Sequence, residues 1–181
     1  MALFGRLIRV NLGSGAVRYD EVREDDVRAY LGGRGLGLLL VSRTGLRRGM
    51  DPLSPELPLI LISGPLAGTG MPLSSRAVAV FMSPLAGRWS YSTVGGSLAV
   101  IMRYAGADAL MVTGRASRPS YIVVEGGRAE VRDASGLWGM DTLDAERALK
   151  EVHGDDSAVA VIGPAGENMV RFASINHETW R

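Results

Sequence analysis

Two short stretches of the chain carry residue types that could hold an anion. Arg76 opens the apolar run Arg76-Ala77-Val78-Ala79-Val80, and Gly95-Gly96 stands directly before a second apolar run, Ser97 to Tyr104, that reads as a helix. The first N–H groups of a helix have no intrahelical partner and lie at the positive end of its dipole. A glycine there lets a phosphate approach the backbone without a Cβ in the way. An arginine fork from a neighbouring strand would supply the charge-assisted partner. The same Gly-Gly also serves as an ordinary loop-to-helix turn, and both readings stay open on the residues alone.

Other candidate chemistry is excluded more firmly. Gly32-Gly33-Arg34-Gly35-Leu36-Gly37 is rich in glycine, yet it lacks the dinucleotide-binding spacing and follows a helix where that motif must follow a strand. It reads as a tight link between two helices, with Leu36 to Val41 continuing the second. The P-loop signature is absent. His153 falls at a predicted helix C-terminus, where an imidazole is favourable. His177 lies beside Glu178 near the end of the chain, and neither histidine comes with triad or zinc spacing. Met71, Met82, Met102, Met111 and Met169 read as core filler. Trp89, Trp138 and Trp180 are read as core or interface residues rather than cofactor stacks. There is no cysteine, so no disulfide framework, thiolate zinc site or self-ligated iron–sulfur cluster is available.

The 181 residues suffice for one good-sized domain that buries about 70% of its unfolded surface. A formal net charge of +1 gives no bias toward nucleic acid or an anionic membrane. Lys150 is the only lysine, every other cation being arginine. A GC-rich genome explains this, although arginine also suits bidentate phosphate recognition. No apolar stretch approaches the roughly 20 residues that span a bilayer, and the first residues lack a secretory pattern. A soluble, cytoplasmic protein is expected.

The elements that must position these residues follow a repeating order. Ile8, Val10 and Leu12 alternate with polar residues up to Gly13-Ser14-Gly15, after which Val17 and Tyr19 alternate again. Tyr121 to Val124 and Ala129 to Val131 flank Gly126-Gly127 in the same manner. Glycines supply the positive φ of tight hairpin turns. Each hairpin leads into a predicted helix, about 24–31 and 142–152, the second with Asp141 as N-cap and Gly154 past its end. Each helix leads into an apolar strand ending in Gly-Pro, at Gly64-Pro65 and Gly163-Pro164. Each of these is followed by an arginine-led apolar run, from Arg76 and from Arg171. This order predicts an α+β domain with two mainly antiparallel sheets, arising from an internal duplication with a pseudo-twofold axis, in halves of about 1–107 and 108–181.

The composite pattern resembles a known family. Gly5-Arg6-Leu7-Ile8-Arg9-Val10-Asn11-Leu12, Leu31-Gly32-Gly33-Arg34-Gly35-Leu36, Asp51-Pro52-Leu53-Ser54-Pro55-Glu56 and Gly64-Pro65-Leu66 carry it. So do Ser83-Pro84-Leu85, Gly95-Gly96, Tyr104 to Ala109, Trp138-Gly139 and Ile162-Gly163-Pro164-Ala165-Gly166-Glu167-Asn168. In this order they are similar to the amino-terminal domain of the tungsten aldehyde:ferredoxin oxidoreductases, across essentially the whole chain.

The resemblance implies a base on which a bis-molybdopterin cofactor of tungsten, or of molybdenum, lies, with the two pterin phosphates sharing a magnesium ion. It places Arg76 and the Gly95 amide, with Gly96 beside it, at one phosphate and Arg181 at the other. It makes the main-chain carbonyl of Thr93 a magnesium ligand, at a position usually held by asparagine. A [4Fe–4S] cluster and the catalytic acid–base groups would belong to further domains of the parent enzyme, which oxidises aldehydes to carboxylates with ferredoxin as acceptor. Those further domains and ferredoxin are the implied partners. The 181-residue chain alone is expected to be inactive and, with an apolar face exposed, to self-associate. Two readings of other classes are a stand-alone phosphate- or nucleotide-binding module and a structural partner subunit without redox activity.

Overall fold

The computed structural model describes residues 4–178. Its organising element is a six-stranded sheet in the order β2-β1-β6-β3-β4-β5. Strands β1 (Arg6–Asn11) and β2 (Ala16–Glu21) form the first expected hairpin, with Arg6 opposite Glu21 and Asn11 opposite Ala16. The Asn11 side chain accepts from the amides of Gly13 and Ser14, each at 3.0 Å, which closes the turn locally. Strands β3 (Leu59–Ser63), β4 (Ala77–Ser83) and β5 (Arg88–Val94) follow as an antiparallel meander. Strand β6 (Ala109–Thr113) enters between β1 and β3, parallel to β1 and antiparallel to β3.

Two helices open the path into this sheet. The acids Glu24, Asp25 and Asp26 fill the first turn of α1 (Glu24–Tyr30), where the helix dipole favours them. Leu31 (φ 62°) and Gly32 then redirect the chain into α2 (Gly33–Ser42), the expected helix-to-helix link. Leu36 and Leu40 of α2 pack on Leu7, Ile60, Ile62, Val80 and Met111, all buried on one face of the sheet. The helix lies so close that a Cβ on Gly37 would sit 2.6 Å from a Val80 methyl carbon. Only glycine fits there.

The opposite face carries Ile8, Val10 and Leu110, covered by Met102 of α3 (Leu98–Tyr104) and by the second hairpin, β7 (Ser120–Glu125) with β8 (Arg128–Asp133). Helix α4 (Thr142–His153) begins with the expected cap, the Asp141 carboxylate accepting from the Asp144 amide at 2.9 Å. Its buried residues Ala145 and Leu149 form a smaller cluster with Val159 and Val161. Short elements complete the chain: β9 (Ala160–Val161), α5 (Pro164–Glu167) and β10 (Asn176–His177), with β9 and β10 paired antiparallel. No helix of the described residues is long and apolar enough to cross a membrane.

The α+β class is as expected, and the strands of the described residues form one sheet of six strands and two of two strands each. The strand expected from Ala158 to Ile162 is only two residues long, and the run after Arg171 is a turn and loop, with a strand only at Asn176–His177. The large sheet also reaches past the expected division at 107/108, because β6 is one of its inner strands.

A buried ion pair ties the centre together. Arg103 of α3 and Asp108, which precedes β6, meet at 2.9 Å with side chains only 14% and 13% exposed. The other Asp108 oxygen accepts from the amides of Gly5 and Arg6 at 2.8 and 2.9 Å. Arg103 also donates to the carbonyls of Pro65 and Ala67, both at 2.7 Å. Three segments distant in sequence, at Gly5-Arg6, Pro65 to Ala67 and Arg103 to Asp108, are thereby held by two side chains, each charge being compensated by neighbours rather than by water.

Candidate functional site

The end of the sheet at β3, β4 and β5 is where the predicted residues meet. Ser63 is opposite Ala77, and Ala77 is opposite Val94. One step further along, the Gly64 amide donates to the Arg76 carbonyl at 3.1 Å. On the other side the last opposed pair is Ala77 with Val94, so Arg76 and Gly95 are the next residues of the two strands. Residues opposed across an antiparallel pair share a face at about 5 Å, so arginine and glycine lie on one face. Thr93, opposite Val78, belongs to that face too, two residues before Gly95. Arg76, Thr93 and Gly95 are all exposed. Among the described residues the Arg76 side chain has no hydrogen-bond or ion-pair partner. Arg181 lies outside the described residues.

A second guanidinium lies near this face. Arg34, in the first turn of α2, lies 4.7 Å above the Tyr91 ring. Tyr91 precedes Thr93 by two on β5 and so projects on the same side. The contact is a cation–π pair. Nothing in the spacing of Arg34 and Tyr91 announces it, because it depends on how α2 crosses the sheet.

The amides at the start of α3, expected as part of the anion site, are already engaged. Glu178 accepts from the Ser97 amide and His177 Nε2 from the Leu98 amide, each at 3.2 Å. The segment after β9 folds back over the helix start, so these donors are satisfied within the chain. Gly96 (φ 68°) is explained by the same contact: a Cβ there would fall 2.4 Å from a Glu178 carboxylate oxygen. Of the expected Gly95-Gly96 pair, only Gly95 stays with Arg76.

The remaining candidates take structural places. His153 sits in the last turn of α4 and shares a 3.2 Å hydrogen bond with the Tyr121 hydroxyl. Met102 and Met111 are buried as expected, whereas Met71 and Met169 lie on the surface and are not core filler. Trp89 packs against the main core, Trp138 is half exposed, and Trp180 lies outside the described residues. Among the described residues no group of three or more acidic or histidine side chains could hold a metal ion.

The family model described as "Aldehyde ferredoxin oxidoreductase, N-terminal domain" matches residues 7–181. The chain belongs to the aldehyde ferredoxin oxidoreductase family. It is 40% identical, over 98% of its length, to the tungsten-containing aldehyde ferredoxin oxidoreductase of Pyrococcus furiosus. It spans only 29% of that relative's length. An aliphatic sulfonate oxidoreductase, WOR-like subunit, from the same organism is 34% identical over 94% of the chain and 30% of the relative. A solved structure, the active site complex BamBC of benzoyl coenzyme A reductase with 1,5-dienoyl-CoA, superposes with a TM-score of 0.91 at 31% identity. That match covers 96% of this chain and 26% of the other.

Several segments of the aldehyde ferredoxin oxidoreductase pattern now have physical roles. The run Tyr104 to Ala109 delivers Asp108 to its buried ion pair. Trp138-Gly139 and the segment Gly163 to Asn168 are joined, since both Glu167 oxygens accept from the Gly139 amide at 2.9 and 3.0 Å. The Leu31 to Leu36 link sets α2 against the sheet. These segments build the frame.

Proposed function

We propose that this domain is the base for a tungsten or molybdenum bis-molybdopterin cofactor, in a parent enzyme that oxidises aldehydes to carboxylates and passes electrons to ferredoxin. The carrying observation is the register that sets Arg76 beside Gly95 at the end of β4 and β5. The donor set suits a phosphate: an exposed guanidinium fork without a competing partner among the described residues, and a main-chain amide that a phosphate oxygen can reach without meeting a Cβ. Thr93 fits a magnesium ion through its main-chain carbonyl, so threonine in place of asparagine changes no ligand atom. Arg181 takes the second phosphate. When bound, the metal centre supplies the two-electron oxidation of the carbonyl substrate. The residues of this chain bind and orient the group through its phosphates. The [4Fe–4S] cluster, the acid–base residues and the ferredoxin surface belong to the rest of the parent enzyme.

The test is cofactor retention. A pterin phosphate is multiply charged, and closing a site over it removes water, so truncating its charge partner is costly. In the full-length enzyme, Arg76→Ala should lower cofactor affinity by about 2–5 kcal/mol. Arg76→Lys should restore only part, because lysine keeps the charge and loses the fork. If Arg76 makes only a surface ion pair, the cost is about 0–1 kcal/mol. Full tungsten and pterin content in folded Arg76→Ala enzyme would refute the phosphate role.

A further inference from the structure

The contact between the C-terminal segment and α3 is built more firmly than a surface loop requires. His177 is almost wholly buried, its side chain 4% exposed, and Glu178 is 14% exposed. His177 Nδ1 lies 2.7 Å from the Val159 carbonyl, a pure acceptor, so Nδ1 carries the proton. Nε2 is then the lone-pair nitrogen, as its bond from the Leu98 amide requires. One imidazole thus links Val159, just before β9, to the first turn of α3. Glu178 adds the Ser97 amide, and its own backbone is held at φ 52°, in the left-handed region that side chains other than glycine rarely adopt. Such a conformation persists only where surrounding contacts over-determine it.

We propose that His177 and Glu178 form a clasp, a pair of positioning residues that fastens the segment at β10 to the start of α3. Gly95 lies two residues before Ser97, and Arg181 lies three residues after Glu178. The clasp therefore fixes where Glu178 lies relative to the start of α3, two residues past Gly95. Two half-sites for one two-phosphate ligand need a set separation, and these two hydrogen bonds join the two stretches directly. Gly96 is part of the device, since any larger residue would push the carboxylate off the Ser97 amide. The contacts stand on their own geometry; their consequence for the cofactor rests on the phosphate reading of Arg76 and Gly95.

Amide hydrogen exchange of the 181-residue chain tests the clasp directly. The Ser97 and Leu98 amides should be protected. Glu178→Ala should speed exchange at Ser97 by about tenfold or more, and His177→Ala should do so at Leu98. The Ile101 and Ala105 amides, bonded within α3 to the Ser97 and Ile101 carbonyls, should keep their protection and so report that the helix is intact. Glu178→Gln retains an acceptor oxygen and should restore most of the protection at Ser97, which loss of packing alone would not predict. It also serves if the alanine variant does not fold. In the full-length enzyme, Glu178→Ala should lower tungsten and pterin content and Glu178→Gln recover it. Unprotected Ser97 and Leu98 amides in the unmodified chain, or protection unchanged in Glu178→Ala, would overturn the clasp. Protection that responds as expected, with cofactor content unaffected by Arg76→Ala, would instead refute the phosphate reading and leave the clasp standing.

Discussion

The two arginine-led runs began from the same kind of sequence and reached different structures. Both follow an apolar stretch that ends in Gly-Pro. After Arg76 the chain forms a seven-residue strand, flanked by β3 and β5, that buries Ala77 and Val80. After Arg171 it forms a turn, leaving Phe172 77% and Ile175 46% exposed. Alternation and apolarity make a strand competent, but the ladder bonds come from neighbours. β4 has one on each side. The run from Phe172 to Ile175 has none among the described residues, and the pairing of β9 with β10 is two residues long.

If the large sheet is the stable body, substitutions there should cost most. Asp108→Ala would leave Arg103 buried without its carboxylate and free the Gly5 and Arg6 amides, for an expected loss of about 3–5 kcal/mol by denaturant unfolding. Leu36→Ala, at a fully buried position between α2 and the sheet, should cost about 4 kcal/mol. Leu149→Ala, in the small cluster under α4, should cost nearer 2 kcal/mol, because fewer neighbours surround the cavity it leaves. Equal losses for the two leucines would abolish the distinction between the regions.

Acid should weaken the α1–α2 corner. Hydrogen bonds from Arg43, and secondarily from Arg23, hold the Asp26 carboxyl well below the usual carboxylate range, against the opposing effect of its burial. A carboxyl depressed on folding contributes stability that is complete above its unfolded value of about 4 and is lost as pH falls toward the folded value. Asp26→Asn should therefore flatten the pH dependence of stability below about pH 4 relative to the unmodified protein, and be least stable relative to it near neutrality. An unchanged acid limb in Asp26→Asn would remove Asp26 from that role.

Much of this was legible in the residues, for local reasons. Both hairpins, the Asp141 cap and the α1–α2 link are specified by neighbours in sequence: glycine at the turns, a carboxylate three residues before the amide it caps, glycines between two helices. The Arg76–Gly95 row was legible in outline, because a strand opened by arginine and a strand ended by glycine needed only to pair in register. The clasp was not. Its partners are about 80 residues apart, Ser97 with Glu178 and Leu98 with His177, and no local pattern marks a histidine that accepts from a distant amide. Gly96 was read as an opening for phosphate, when the close approach belongs to the chain's own carboxylate. Arg34 over Tyr91 escaped for the same reason, being set by helix placement rather than spacing.

The smallest effect on stability should come from the surface where the two regions differ most. A groove of about 810 Å³ runs between them, lined by Leu53, Phe81 and Met82 on one side and Trp138, Ile162 and Met169 on the other. Phe172 stands exposed in the segment that follows Met169. Exposed aromatic and aliphatic side chains contribute little to folding, since they leave water only in part, but they drive association when they meet a partner surface. Phe172→Ser should accordingly change unfolding free energy by no more than about 0.5 kcal/mol. In sedimentation velocity the unmodified chain should self-associate with rising concentration, and Phe172→Ser should shift it toward monomer. A loss of several kcal/mol would mean that Phe172 packs in a core absent from this structure. An unmodified chain that stays monomeric at high concentration would mean that its exposed apolar residues are too scattered to form a docking face.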